Sequence, residues 1–82
     1  MMDDKISFYP NPTKDILHLK FDKAAINNLH YKIYNISGQQ LKYGLLNENV
    51  KSISFEDLPP NMYIIEIYNE YKILSTHKII KH

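Results

Sequence analysis

The chain has 82 residues, ten basic and nine acidic, with a formal net charge of +1. One domain at most fits this length, and a chain so short buries only about 60% of its unfolded surface, so its core is thin. With no cysteine it has neither disulfides nor thiolate zinc sites to reinforce it.

Every basic residue is a lysine, and the lysines are scattered from Lys5 to Lys81. The missing arginine fork speaks against nucleic acid or phosphate as a partner. No segment reaches the roughly 18–20 apolar residues of a membrane helix, so direct membrane insertion is not expected. The opening MMDDKIS carries two acids and no apolar run, so it does not read as a secretory signal.

Twelve isoleucines and seven tyrosines set a strand-forming composition. In chain order, Ile6–Tyr9 reads as a first short strand stopped by Pro10. In Ile16–Phe21, Leu17, Leu19 and Phe21 share one face. The stretch DKAAINN, Asp22 to Asn28, reads as a connection with room for one loose helical turn. Leu29, Tyr31 and Ile33 share the next strand's face, with His30, Lys32 and Tyr34 opposite. Alternation resumes at Leu41, Tyr43 and Leu45, and a short strand follows at Ile53 and Phe55. Met62–Tyr68 is the most apolar run, and Asn69–Glu70 is a tight hairpin turn. Tyr71–Lys81 is the last strand, anchored by Ile73, Ile79 and Ile80. Seven short strands and no amphipathic helix predict an all-β, immunoglobulin-like antiparallel sandwich.

Three corners punctuate these strands. Pro10 and Pro12 each fix a backbone angle and remove an N–H donor, so they end strand pairing, while Asn11 can bond its local backbone. In YNISG, Asn35 and Ser37 can bond nearby backbone, and Gly38 can take the positive φ of a bulged hairpin. Asn35-Ile36-Ser37 also matches a glycosylation pattern, but a tight turn already accounts for the asparagine. In LPPNMY, Leu58 plugs the end of the sandwich and Pro59 and Pro60 stiffen the approach. Asn61 is expected at positive φ, and Tyr63 points inward with its hydroxyl turned back toward the loop.

No catalytic pattern emerges. The five serines have no nucleophile-elbow context, and the acids resemble no opposed carboxylate pair. His18 and His30 could meet across a sheet, but no acid stands at a spacing that would complete a metal site. Tyr34, Tyr43, Tyr68 and Tyr71 could form an aromatic platform for sugar, although strand aromatics more often pair across strands. The chain therefore reads as non-enzymatic, with no cofactor, metal or catalytic residue assigned.

Taken in order, FYPNPTKDILHLKF, YKIYNISGQQL, ISFEDLPPNMYIIEI and HKIIKH resemble the type A C-terminal sorting domain of the type IX (Por) secretion system. The resemblance runs from Ile6 to Lys81. Pro10, Asn11 and Pro12 match its first box, and Asn35 and Gly38 its turn. Leu58, Pro59 and Tyr63 match its third box, with Asn61 in the glycine position. Lys78, Ile79, Ile80 and Lys81 match the lysine-flanked tail. His82 stands one residue beyond the usual end.

The resemblance implies a non-catalytic label on an N-terminally fused cargo domain, in transit through the periplasm to the cell surface or medium. Its implied partners are the translocon, outer-membrane shuttle proteins and a sortase-like cysteine peptidase that cuts upstream. Residues 1–5 are then expected to be a linker remnant and 6–82 the label, with the cut at or before Met1 to Lys5. The tail is expected to offer an open edge on the last strand, able to accept a partner strand or a second copy. The competing reading is a standalone adhesion or carbohydrate-binding sandwich.

Overall fold

A computed structural model describes residues 6–21, 29–47 and 49–82. Seven strands follow in order: β1 (Ile6–Tyr9), β2 (Ile16–Phe21), β3 (Leu29–Tyr34), β4 (Gln40–Leu46), β5 (Ser52–Ser54), β6 (Asn61–Tyr68) and β7 (Ile73–Lys81). They form two sheets, β1-β2-β5 and β4-β3-β6-β7, and every pairing between strands is antiparallel. This is the expected two-layer sandwich, compatible with the immunoglobulin-like arrangement. The linker expected at 1–5 and the helical turn expected in 22–28 lie outside the described residues.

Period-two alternation builds the core. Leu17 and Leu19 from one sheet meet Ile33, Tyr63, Ile65, Ile67 and Ile79 from the other, with Ile53, Phe55, Leu29 and Leu46 completing the cluster. Each such side chain contributes about 1.5–3 kcal/mol when fully buried. Two aromatic contacts and one polar contact tie the layers further. Phe8 of β1 packs edge-on against His77 of β7 at 4.9 Å. Phe55 meets Tyr63 at 5.8 Å. On the β4 side, the Lys42 ammonium donates to the Ser54 carbonyl at 2.7 Å and pairs with Asp57 at 2.9 Å.

In β4 the structure decides which face is buried, and in β7 it departs from the expected anchors. In β4, Leu41, Tyr43 and Leu45 are exposed, and the inward face carries Lys42, Gly44 and Leu46. The pairing Tyr31↔Gly44 explains the choice. A Cβ at Gly44 would stand 2.8 Å from the Tyr31 ring, so the ring lies over the glycine and takes its place in the core. In β7 only Ile79 is a core anchor, while Ile73 and Ile80 are 57% and 41% exposed. The strand begins at Ile73 because Asn69–Lys72 forms the turn. Asn69 N–H donates to the Lys72 carbonyl at 3.0 Å, and its side-chain oxygen accepts from Tyr71 and Lys72. A register shift at Ile67/Tyr68 then leaves Leu74 without a partner on β6.

Candidate functional site: one pole of the sandwich

The strand order brings the corners together. The β1–β2 corner follows Tyr9, the β3–β4 turn follows Tyr34, the β5–β6 loop follows Ser54, and β7 ends at Lys81. The register places all four at one pole, since Tyr34 pairs with Ile64, Ile16 with Ser54, and Asn61 with Lys81. β1 begins at the opposite pole, where Ile6 pairs with Phe21. The thirteen residues matched by resemblance therefore occupy this one end of the molecule or the strand ends that lead into it.

At the first corner both X–Pro bonds, Tyr9–Pro10 and Asn11–Pro12, are cis. Asn11 was expected to bond its local backbone, but it bonds the last strand instead. Its amide nitrogen donates to the Lys78 carbonyl at 2.8 Å and its oxygen accepts from Ile80 N–H at 2.9 Å. Thr13 extends the clasp: its N–H donates to the Ile80 carbonyl at 2.8 Å, and its carbonyl accepts from His82 N–H at 2.9 Å. Thr13 and Lys81 form a parallel bridge. The Thr13 side chain is buried and its hydroxyl donates to the Ile16 carbonyl at 2.8 Å. The proline corner is thus not held away from the sheet ladder. It covers the outer edge of β7 from Lys78 to His82, so the tail edge expected to be open is already occupied along this half.

The β3–β4 turn is organised by Asn35. Its side-chain oxygen accepts from Ser37 N–H at 3.0 Å and Gln39 N–H at 2.9 Å, and its amide donates to Gln39 Oε1 at 3.2 Å. Gly38 N–H closes the turn onto the Asn35 carbonyl at 3.0 Å. Gly38 has φ +87°, the left-handed conformation anticipated for it. This use of its side chain is the structural role of Asn35 within the glycosylation-like triplet.

The third corner is stitched from within. Tyr63 is buried and its hydroxyl donates to the Pro59 carbonyl, as its inward orientation predicted. Burial, which disfavours the phenolate, raises its pKa. Leu58 packs against the core and its N–H donates to the Phe55 carbonyl at 3.0 Å. Asn61 opens β6, paired with Lys81, and its side-chain oxygen accepts from Met62 N–H at 2.8 Å.

Lys81 closes the pole. It is only 8% exposed, yet it is a lysine at the end of an edge strand. Its ammonium donates to the carbonyls of Phe55 and Leu58, 2.5 Å from each, across the β5–β6 loop. A buried charge must be satisfied by hydrogen bonds, and here carbonyls provide them. Lys78 and Ile80, by contrast, are exposed, and Ile79 points into the core.

Thr13, Lys42 and His77 were not singled out from sequence. Each acts on a residue far along the chain, and no local pattern names such a partner. His77 is half-buried, bonds Ser75 Oγ at 3.0 Å, and has its pKa lowered by burial. The paired histidines do not converge: His18 stacks on Tyr9 in one sheet and His30 on Tyr68 in the other. No group of three or more metal-ligating side chains exists among the described residues. Of the tyrosines, Tyr34, Tyr43 and Tyr68 share the outer face of the four-stranded sheet, and Tyr71 stands in the β6–β7 turn. Tyr68 is stacked by His30 and capped by Lys32 at 5.0 Å, and the Tyr34 hydroxyl donates to Glu66 at 3.3 Å. Burial, then the Glu66 charge, raises the Tyr34 pKa.

Fold and pole together define a small all-β module whose marked residues hold one another in a fixed shape. A protein-family model described as the secretion system C-terminal sorting domain matches residues 7–82, and the chain belongs to that family. It is a C-terminal sorting domain of type IX secretion, a tail that implies a cell-surface-directed protein passing through the periplasm. No curated protein matches the chain.

Proposed function

We propose that the chain is a non-catalytic export label, read by the type IX machinery as a folded shape rather than as an unfolded peptide. The observation that carries this reading is the convergence of all four sequence boxes on one pole, opposite the start of β1. A cargo fused upstream would join at the far end and leave this pole clear. Asn11, Asn35, Tyr63 and Lys81 spend their polar groups inside the pole. They act as builders. The groups left for a translocon or outer-membrane shuttle protein are Pro10, Pro12, Pro59, Lys78 and Ile80, which are exposed. A sortase-like peptidase would then cut upstream of Ile6 and leave the sandwich intact.

The test is an export assay. Residues 1–82 are fused behind a reporter carrying a periplasmic signal and expressed in a strain competent for type IX secretion. The reporter should appear at the surface or in the medium. Lys81→Ala, which loosens the pole, should reduce export at least tenfold, whereas Thr76→Ser, away from the pole, should not. A reporter that stays in the periplasm with its domain folded overturns the reading.

A further inference from the structure

We infer that the uncovered part of the β7 edge, Ile73 to His77, is a strand-addition site for an extended segment of a partner protein with an acidic residue at each end. This goes beyond the export reading and does not rest on it. The argument starts from direction. Lys78, Ile80 and His82 turn backbone groups away from β6, since these are the groups Asn11 and Thr13 take. Strand alternation turns Thr76 the same way, and Leu74, the extra residue of the bulge, has no partner on β6. Among the described residues no strand pairs with β7 on this side.

The edge already accepts an added segment. The proline corner supplies one over the lower half, including a parallel bridge from Thr13 to Lys81. The upper half presents the same ladder on the longest strand of the fold, nine residues. β4, the other outer strand of this sheet, is shorter, at seven residues.

Charge selects the occupant. Exposed Lys72 and Lys78 bracket the open stretch. Lysines at an edge oppose pairing with a second copy, because antiparallel self-pairing centred on Ser75 sets Lys72 against the other copy's Lys78. They favour a segment with a carboxylate at each end. Between them Leu74 and Thr76 offer one apolar and one β-branched neighbour, so the middle of the segment should alternate β-branched residues. Lys72 to Lys78 spans about 20 Å of extended chain.

The probe is the synthetic peptide Glu-Val-Thr-Val-Thr-Val-Glu, titrated into the labelled 82-residue chain and followed by amide shifts and hydrogen exchange. Binding should shift the amides of Leu74, Thr76 and Lys78 and slow exchange at Thr76 at least tenfold. The same peptide with lysine at both ends should bind at least tenfold more weakly. Lys72→Glu with Lys78→Glu should reverse that preference. Thr76→Pro removes an outward N–H that the fold does not use and should abolish binding with the melting temperature nearly unchanged. If that variant fails to fold, the charge-reversal pair carries the test alone. Equal binding of both peptides, shifts confined to the outer sheet face, or concentration-dependent self-pairing at these amides without peptide would each overturn the proposal.

Discussion

Lys81 shows most clearly how one side chain can fasten a fold. Its stem crosses the end of the core and its ammonium holds two loop carbonyls. Lys81→Ala deletes both bonds, leaving the Phe55 carbonyl with only the Leu58 N–H and the Leu58 carbonyl without its ammonium, so a loss of about 2–4 kcal/mol is expected in urea unfolding. His77 makes a different prediction, in pH. Its folded pKa lies below the usual 6.5 because burial disfavours the imidazolium. Below about 6.5 the unfolded chain therefore takes up a proton that the folded chain refuses. The contribution of this residue is complete above that pH and is lost as pH falls toward the lower folded value. His77→Gln should flatten the melting-temperature profile between pH 7.5 and 5 relative to the parent. An unchanged slope would show that carboxylates or other histidines govern it.

Two glycines separate the two reasons an element can need one. Gly38 has open space around the position of a Cβ, so its requirement lies in its φ of +87°. Gly38→Ala should cost about 1–2 kcal/mol through backbone conformation alone. Gly44 has no unusual φ, but a Cβ there would stand 2.8 Å from the Tyr31 ring. Gly44→Ala should cost about 1–3 kcal/mol through overpacking, and a double-mutant cycle with Tyr31→Ala should recover much of it. The same cycle with Gly38→Ala should show no coupling. The corner of Asn11 and Thr13 is the third case, since it is held by β7 rather than by its own turn. Asn11→Ala should speed amide exchange at Ile80 and cost about 1–2 kcal/mol, with Gln39 exchange unaffected.

At the scale of the whole molecule, the pole changes how the tail should be tested. Deleting Lys78 to His82 would remove the clasp of the first corner and the Lys81 plug together, so a failure to export would report on folding. Point changes at exposed Lys78 and Ile80 separate recognition from architecture. Lys78→Glu and Ile80→Thr should leave urea unfolding within about 0.5 kcal/mol of the parent, as surface changes do. Under the shape reading, any loss of export by these two variants identifies surface that the machinery touches. With a long axis of 37 Å and short axes of 22 Å, the sandwich keeps that surface well away from the start of β1.

Strand number, strand order in sequence and the positions of the corners were legible in the chain itself. Period-two alternation and turn residues are local signals, and a thin core leaves few alternatives to a two-layer β fold. The resemblance of four spaced boxes likewise needed no coordinates. What the chain could not disclose was which groups those boxes serve. Asn11 looked like a local turn residue, and Lys81 like one of ten solvated lysines, because their partners are carbonyls dozens of residues away. The inward face of β4 was hidden for the same reason: Gly44 is an inward residue only because Tyr31 of the neighbouring strand lies across it. Alternation marks two faces but not which is buried when each carries apolar residues. That choice, and with it the joining of the first corner to the last strand, was made by packing between distant segments.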